Sequence, residues 1–225
     1  MEREIDLKEI SDGKLYTAND MVKTGCNDCK GCFACCKGMG NSIILDPYDM
    51  YQLMLGTDKN LEQMLEKQLA LNVVEGIILP NLKMQPERDA CAFLNEEGRC
   101  GIHNYRPGFC RMFPLGRFYD AERRSFQYFL QIRECAASNK TKVKLKKWLG
   151  IPEIGKYEQY VADWHYFLKM VKSIIENSEN GEIIKKVNML LLGEFYGKPY
   201  EKTRDFYQQF YERLEEGETV MAFYK

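Results

Sequence analysis

Histidine is scarce in this 225-residue chain: there are two, His103 and His165. Two imidazoles are too few for a non-haem iron triad with supporting partners. A dominant charge is also missing. The 32 Lys and Arg nearly cancel the 33 Asp and Glu, so no global field draws the chain to nucleic acid. Long apolar runs are lacking too. Met189–Leu192 is far shorter than the ~20 residues of a membrane-spanning helix. The charged start, Met1-Glu2-Arg3-Glu4-Ile5-Asp6, has no apolar core of a signal peptide. There is no phosphate-cradling glycine loop, no Gly-x-Ser-x-Gly, no His-Glu-x-x-His and no internal repeat. These absences read as a cytoplasmic protein with neither a nucleic-acid nor a membrane partner.

Against that background the nine cysteines stand out, and they are not scattered. Cys26, Cys29, Cys32, Cys35 and Cys36 fall in one short stretch, and Cys91, Cys100 and Cys110 in another. A reducing compartment disfavours disulfides, so clustered thiols point to metal. Cys-x2-Cys spacing forms a tight turn that aims two thiolates at one centre. Four thiolates close a tetrahedral site for zinc or hold an iron–sulfur unit. The spacing Cys29-x2-Cys32-x2-Cys35 also matches the first three cysteines of bacterial ferredoxin runs, whose fourth ligand lies elsewhere in the chain. Cys110 is a candidate for that role. Adjacent side chains diverge, so Cys35 and Cys36 chelate one small ion poorly but can serve two metals. His103 reads equally as a ligand or as a surface histidine, and His165 as a packing residue. Arg106 and Arg111 are expected to offset thiolate charge and to bind loop carbonyls.

Around the cysteines the pattern is mixed. Asp46-Pro47-Tyr48-Asp49 starts a helix, with Asp46 as cap and Pro47 at the first position; Gly56 is expected to end it. Leu61, Met64, Leu65 and Leu69 mark one face of the next helix, with Thr57 or Asp58 as its cap. Ser42–Leu45 and the Ile77 region read as strands. Leu115–Tyr119 and Ser125–Arg133 read as a hairpin through Asp120–Arg123. Lys140–Lys147 is a basic run read as a solvated helix face. Beyond it, Tyr157, Tyr160, Val161, Trp164, Phe167 and Val171 keep one helical face, and two further helices follow. The fold class expected is α+β: metal-stapled hairpins and a short antiparallel sheet packed by helices, with a helical C-terminal extension. Residues 1–140 form the metal-binding part in this reading, and residues 141–225 the extension.

The pattern Cys29-x2-Cys32-x2-Cys35-Cys36, then Cys91-x-Phe93-Leu94, Cys100-x-Ile102 and Arg106-Pro107-x2-Cys110-Arg111-x-Phe113-Pro114 resembles the YkgJ-type cysteine-cluster proteins. That family is described as zinc- or iron-chelating. The resemblance covers about residues 26–136, and it implies metal ligation by Cys29, Cys32, Cys35, Cys36, Cys91, Cys100, Cys110 and Cys135. Cys26 is extra to the motif. Cys135 lacks the Pro-Gly that often follows the family's last cysteine. The implied cofactor is zinc or an iron–sulfur cluster, and the partners are metal ions and a possible protein. A related cysteine pattern occurs in flagellin lysine methylases. The alternative reading is therefore an iron–sulfur enzyme for redox or protein-modification chemistry, for which the resemblance supplies no catalytic residue.

Overall fold

A computed structural model describes residues 6–26 and 32–224; Cys29 lies outside them. In the first half, helix α1 (Leu7–Ile10) precedes strands β1 (Ser11–Tyr16) and β2 (Met21–Gly25). Helices α2 (Pro47–Thr57) and α3 (Leu61–Leu65) lead into strands β3 (Leu69–Val74), β4 (Ile77–Leu82), β5 (Met84–Gln85) and β6 (Ala90–Cys91). Helix α4 (Gly108–Met112) is followed by β7 (Leu115–Asp120), β8 (Ser125–Gln131) and β9 (Thr141–Lys144). Helices α5 (Leu145–Leu149), α6 (Ile154–Glu176), α7 (Gly181–Leu192) and α8 (Phe206–Met221) complete the chain. All strand pairs are antiparallel: one sheet has the order β1-β8-β7, and β2-β9, β3-β4 and β5-β6 form two-stranded ribbons. The fold is α+β with a helical C-terminal part. No helix among the described residues is long and apolar enough to cross a membrane.

Helix α2 starts as its residues dictate. Asp46 caps the Asp49 N–H, Asp49 caps back, and Pro47 supplies a preset φ. It does not end at Gly56, however. Asp58 takes the left-handed turn at φ 57°, and Gly56 is needed for room instead: a Cβ there would sit 2.7 Å from the Tyr105 ring. The next cap is Asn60, which forms a box with Gln63, rather than Thr57 or Asp58.

Helix α3 stops at Leu65, and Leu69 opens a strand instead of continuing a helical face. A two-residue turn explains this. Glu75 (φ 51°) and Gly76 (φ 83°) both take positive φ, as a tight hairpin turn requires. Residues 43–45 run along the outer side of β4 through short backbone bonds, Leu45 N–H to Pro80 O (2.9 Å) and Leu82 N–H to Ile43 O (3.0 Å). Pro80 is tolerated in a strand because that side needs only its carbonyl. The β7–β8 hairpin forms where the alternation predicts, with Asp120 opposite Ser125. Lys140–Lys147 is divided between a strand and a short helix.

One hydrophobic cluster joins the cysteine-bearing half to the C-terminal helices. Helix α6 buries Tyr157, Tyr160, Val161, Trp164, Phe167, Val171, Ile174 and Ile175. The ring of Phe210 from α8 meets Tyr160 edge-on at 4.5 Å, an arrangement worth ~0.5–1.5 kcal/mol beyond burial. Tyrosine hydroxyls also satisfy buried backbone here. Tyr160 accepts the Tyr48 N–H (2.9 Å) and Tyr196 donates to the Leu45 carbonyl (2.9 Å). These bonds fix the start of α2 against the C-terminal helices. His165 is buried and stacked on Tyr119 at 3.6 Å.

Candidate metal centre

Turn chemistry brings the two cysteine stretches together. After Cys91 the chain turns back through Asn95, whose side chain accepts the Arg99 N–H at 2.7 Å. Leu94 then bridges to Cys100, and the Gly101 N–H donates to the Phe93 carbonyl at 2.8 Å. Gly98 makes the tightest point at φ 71°. The earlier stretch is stapled to this turn at two places. Lys37 bridges to Ala90, with the Gly38 N–H on the Asp89 carbonyl at 3.0 Å. Phe33 lies against Gly98, where a Cβ would come within 2.8 Å of its ring.

Cys110 arrives from a third direction, on α4. Arg111 organises the approach. Its guanidinium donates to the carbonyls of Asn104, Arg106 (2.9 Å) and Gly150 (3.4 Å), as expected for a loop-binding arginine. The indole N–H of Trp148 donates to the Phe113 carbonyl at 3.2 Å.

The result is one pocket lined by Cys32, Cys35, Cys36, Cys91, Cys100 and Cys110. Ile43, Leu82, Leu94, Ile102, Phe109 and Trp148 form apolar wall, and Arg99, His103 and Arg106 add polar groups. Cys32 is exposed at the mouth, whereas Cys91 is buried. Cys135 does not line this pocket. It sits beyond β8, where its carbonyl accepts the Lys140 ammonium at 2.9 Å. Cys26, at the end of β2, is not in the lining either.

The thiols act on one another. Burial pushes the Cys91, Cys100 and Cys110 thiols above their ordinary range. Cys35 is raised first by its hydrogen bond to Cys36, then by burial. The charge of Cys35 further raises the other three. Backbone groups oppose this: the Phe93 N–H bonds the Cys91 sulfur and the Ile102 N–H the Cys100 sulfur. Arg106 pulls Cys35 and Cys100 down, and Arg99 acts on Cys100. Such groups favour the thiolate that a metal requires.

This donor set fits a soft or borderline ion, because sulfur predominates and positive charge and N–H donors stand ready to stabilise thiolates. Among the described residues, no three His, Cys, Asp or Glu side chains already stand at ion-holding separation. The His103 Nδ1 lies 3.2 Å from Arg106 Nη1. The same Arg106 nitrogen donates to the His103 carbonyl at 2.7 Å.

Several contributors were not singled out as site residues. Asp49 is 2% exposed and accepts the Gly108 N–H two residues before Cys110. Burial and Asp46 push its carboxyl well up, opposed by that N–H and by Arg117. Tyr157 touches Gly108, and Trp148 walls the pocket. The only sequence signal was Asp49's place in the capping box, which accounts for the helix start but not for a contact 59 residues away.

Fold and pocket together define an α+β protein with a thiol-lined pocket assembled from three chain segments. The chain belongs to the CxxCxxCC family: the family model "Putative zinc- or iron-chelating domain" matches residues 28–143, more than half its length. Neither curated proteins nor solved structures give a significant match.

Proposed function

We propose that the protein binds zinc or iron through one four-thiolate centre built by Cys35, Cys91, Cys100 and Cys110, with Cys36 and Cys32 beside it. The observation that carries this reading is geometric: four sulfurs from three segments line one pocket, and the Cys35 sulfur acts electrostatically on the other three. Deprotonated without a cation they would repel, so a divalent ion or cluster is their natural counter-charge. The thiols draw in to close on it.

An all-sulfur shell leaves no open position, which favours a structural or electron-carrying role over an enzyme. Residues 1–140 supply the ligands, and residues 141–225 support them from behind through Trp148 and Tyr157. A cytoplasmic location would keep these thiols reduced. Cys135 and Cys26 stand outside this centre.

The test is metal analysis after anaerobic purification. Serine at position 35, 91, 100 or 110 should each remove the bound metal, and Cys135→Ser should retain it. Full metal content in Cys110→Ser, or loss in Cys135→Ser alone, would overturn the assignment.

A further inference from the structure

We propose that Asp49 is a positioning residue for Cys110: its carboxylate, supplied from α2, caps the short segment that carries this thiol. The inference rests on the metal-binding reading above. Pro107 occupies the cap position of α4 and offers no capping side chain. The first N–H of that segment, on Gly108, donates instead to Asp49 Oδ1 at 2.6 Å. The other oxygen, Oδ2, accepts the Asp46 N–H at 3.1 Å. Meanwhile Asp46 Oδ1 accepts the N–H of Asp49 itself at 2.9 Å. One buried group thus closes its own helix and holds the segment leading into Cys110.

Two acceptor oxygens are needed to do both. Each Asp49 oxygen faces an N–H, so an amide of the same shape must turn its NH2 towards one of them. At 2% exposure, water is poorly placed to repair the mismatch. Gly108 has little room to shift, because the Tyr157 hydroxyl crowds the place a Cβ would take, beside Asp49 Oδ1. The expected consequence is a misplaced sulfur rather than a lost one.

The experiment measures zinc binding by the full-length chain in competition with a chromophoric chelator, under anaerobic conditions. Asp49→Asn should weaken zinc by ~10–100-fold, the range seen when groups that orient metal ligands are removed. Asn188→Ala is the control. Asn188 is equally buried and holds the Ile78 N–H (2.6 Å) and the Gly76 carbonyl (3.1 Å), away from the pocket. It should lower stability and leave zinc affinity unchanged. In the metal-free folded protein, Asp49→Asn should also change the alkylation rate of Cys110 while leaving that of Cys91 unaltered. If Asp49→Asn does not fold, Asp49→Glu, which keeps the charge on a longer arm, is measured with the same expectation. Wild-type affinity in the Asp49 variant, or an equal loss in Asn188→Ala, would overturn the positioning role. A wild-type chain that takes up no zinc would overturn the metal reading, and this inference with it.

Discussion

Gly108 and Tyr157 should be energetically coupled, and the size of the coupling follows from their contact. A Cβ on residue 108 would lie 2.2 Å from the Tyr157 hydroxyl and 3.5 Å from its ring carbon Cζ. The hydroxyl cannot simply retreat. It accepts the Arg117 Nη2 bond at 3.0 Å, and the ring is packed among Tyr48 and Tyr160. Gly108→Ala should therefore cost about 2–4 kcal/mol, combining overpacking with a strained bond to a charged group, less ~1 kcal/mol of better helix propensity. Tyr157→Phe alone should cost ~1.5–3 kcal/mol, because Arg117 loses a partner in a buried place. In the double variant the clash is gone, since 3.5 Å is ordinary contact. Its cost should be close to that of Tyr157→Phe alone, a coupling of about 2–4 kcal/mol. Urea unfolding of the metal-loaded protein, read as midpoint shifts at constant slope, measures all four corners. Costs that add within ~0.5 kcal/mol would refute the contact argument.

Other outcomes follow from the same geometry. Gly98→Ala should destabilise by ~1–2 kcal/mol, from a Cβ placed at positive φ, and should push Phe33 off the turn. Zinc transfer to a chelator should then speed up in stopped flow, and an unchanged rate would show that Phe33 does not seal the pocket. In the metal-free protein, burial raises the Cys91, Cys100 and Cys110 thiols above their unfolded values. Raised folded values give stability that is present below about pH 8.5 and lost as pH climbs, so melting temperature should fall from about pH 8 to 10. A flat profile would contradict this. The metal-loaded form should instead lose stability as acid protonates its thiolates and releases the ion.

Much of this molecule was legible in the residues. The α6 face from Tyr157 to Ile175 is written in a 3.6-residue period, and β8 in an alternation of Phe126, Tyr128 and Leu130 with mostly polar residues, so local rules sufficed. That the two cysteine stretches share one pocket was legible because their spacing is itself chemistry. The β3–β4 hairpin was hidden by Glu75, a residue that rarely marks a turn with two positive φ values. Gly56 reads in the sequence as a helix stop, yet it makes room for the Tyr105 ring, as Gly98 does for Phe33 and Gly108 for the Tyr157 hydroxyl. Asp49 was readable as the start of a helix, and its second bond to Gly108 is tertiary. Capping patterns report only local partners, so that role required the fold.

The central claim is an all-sulfur metal centre. X-ray absorption at the metal edge of the anaerobically isolated wild-type chain tests it most directly. The account predicts a shell of sulfur alone at ~2.3 Å, with one sulfur fewer or no metal at all in Cys110→Ser. A shell dominated by nitrogen and oxygen, or a wild-type chain that carries no metal, would contradict it.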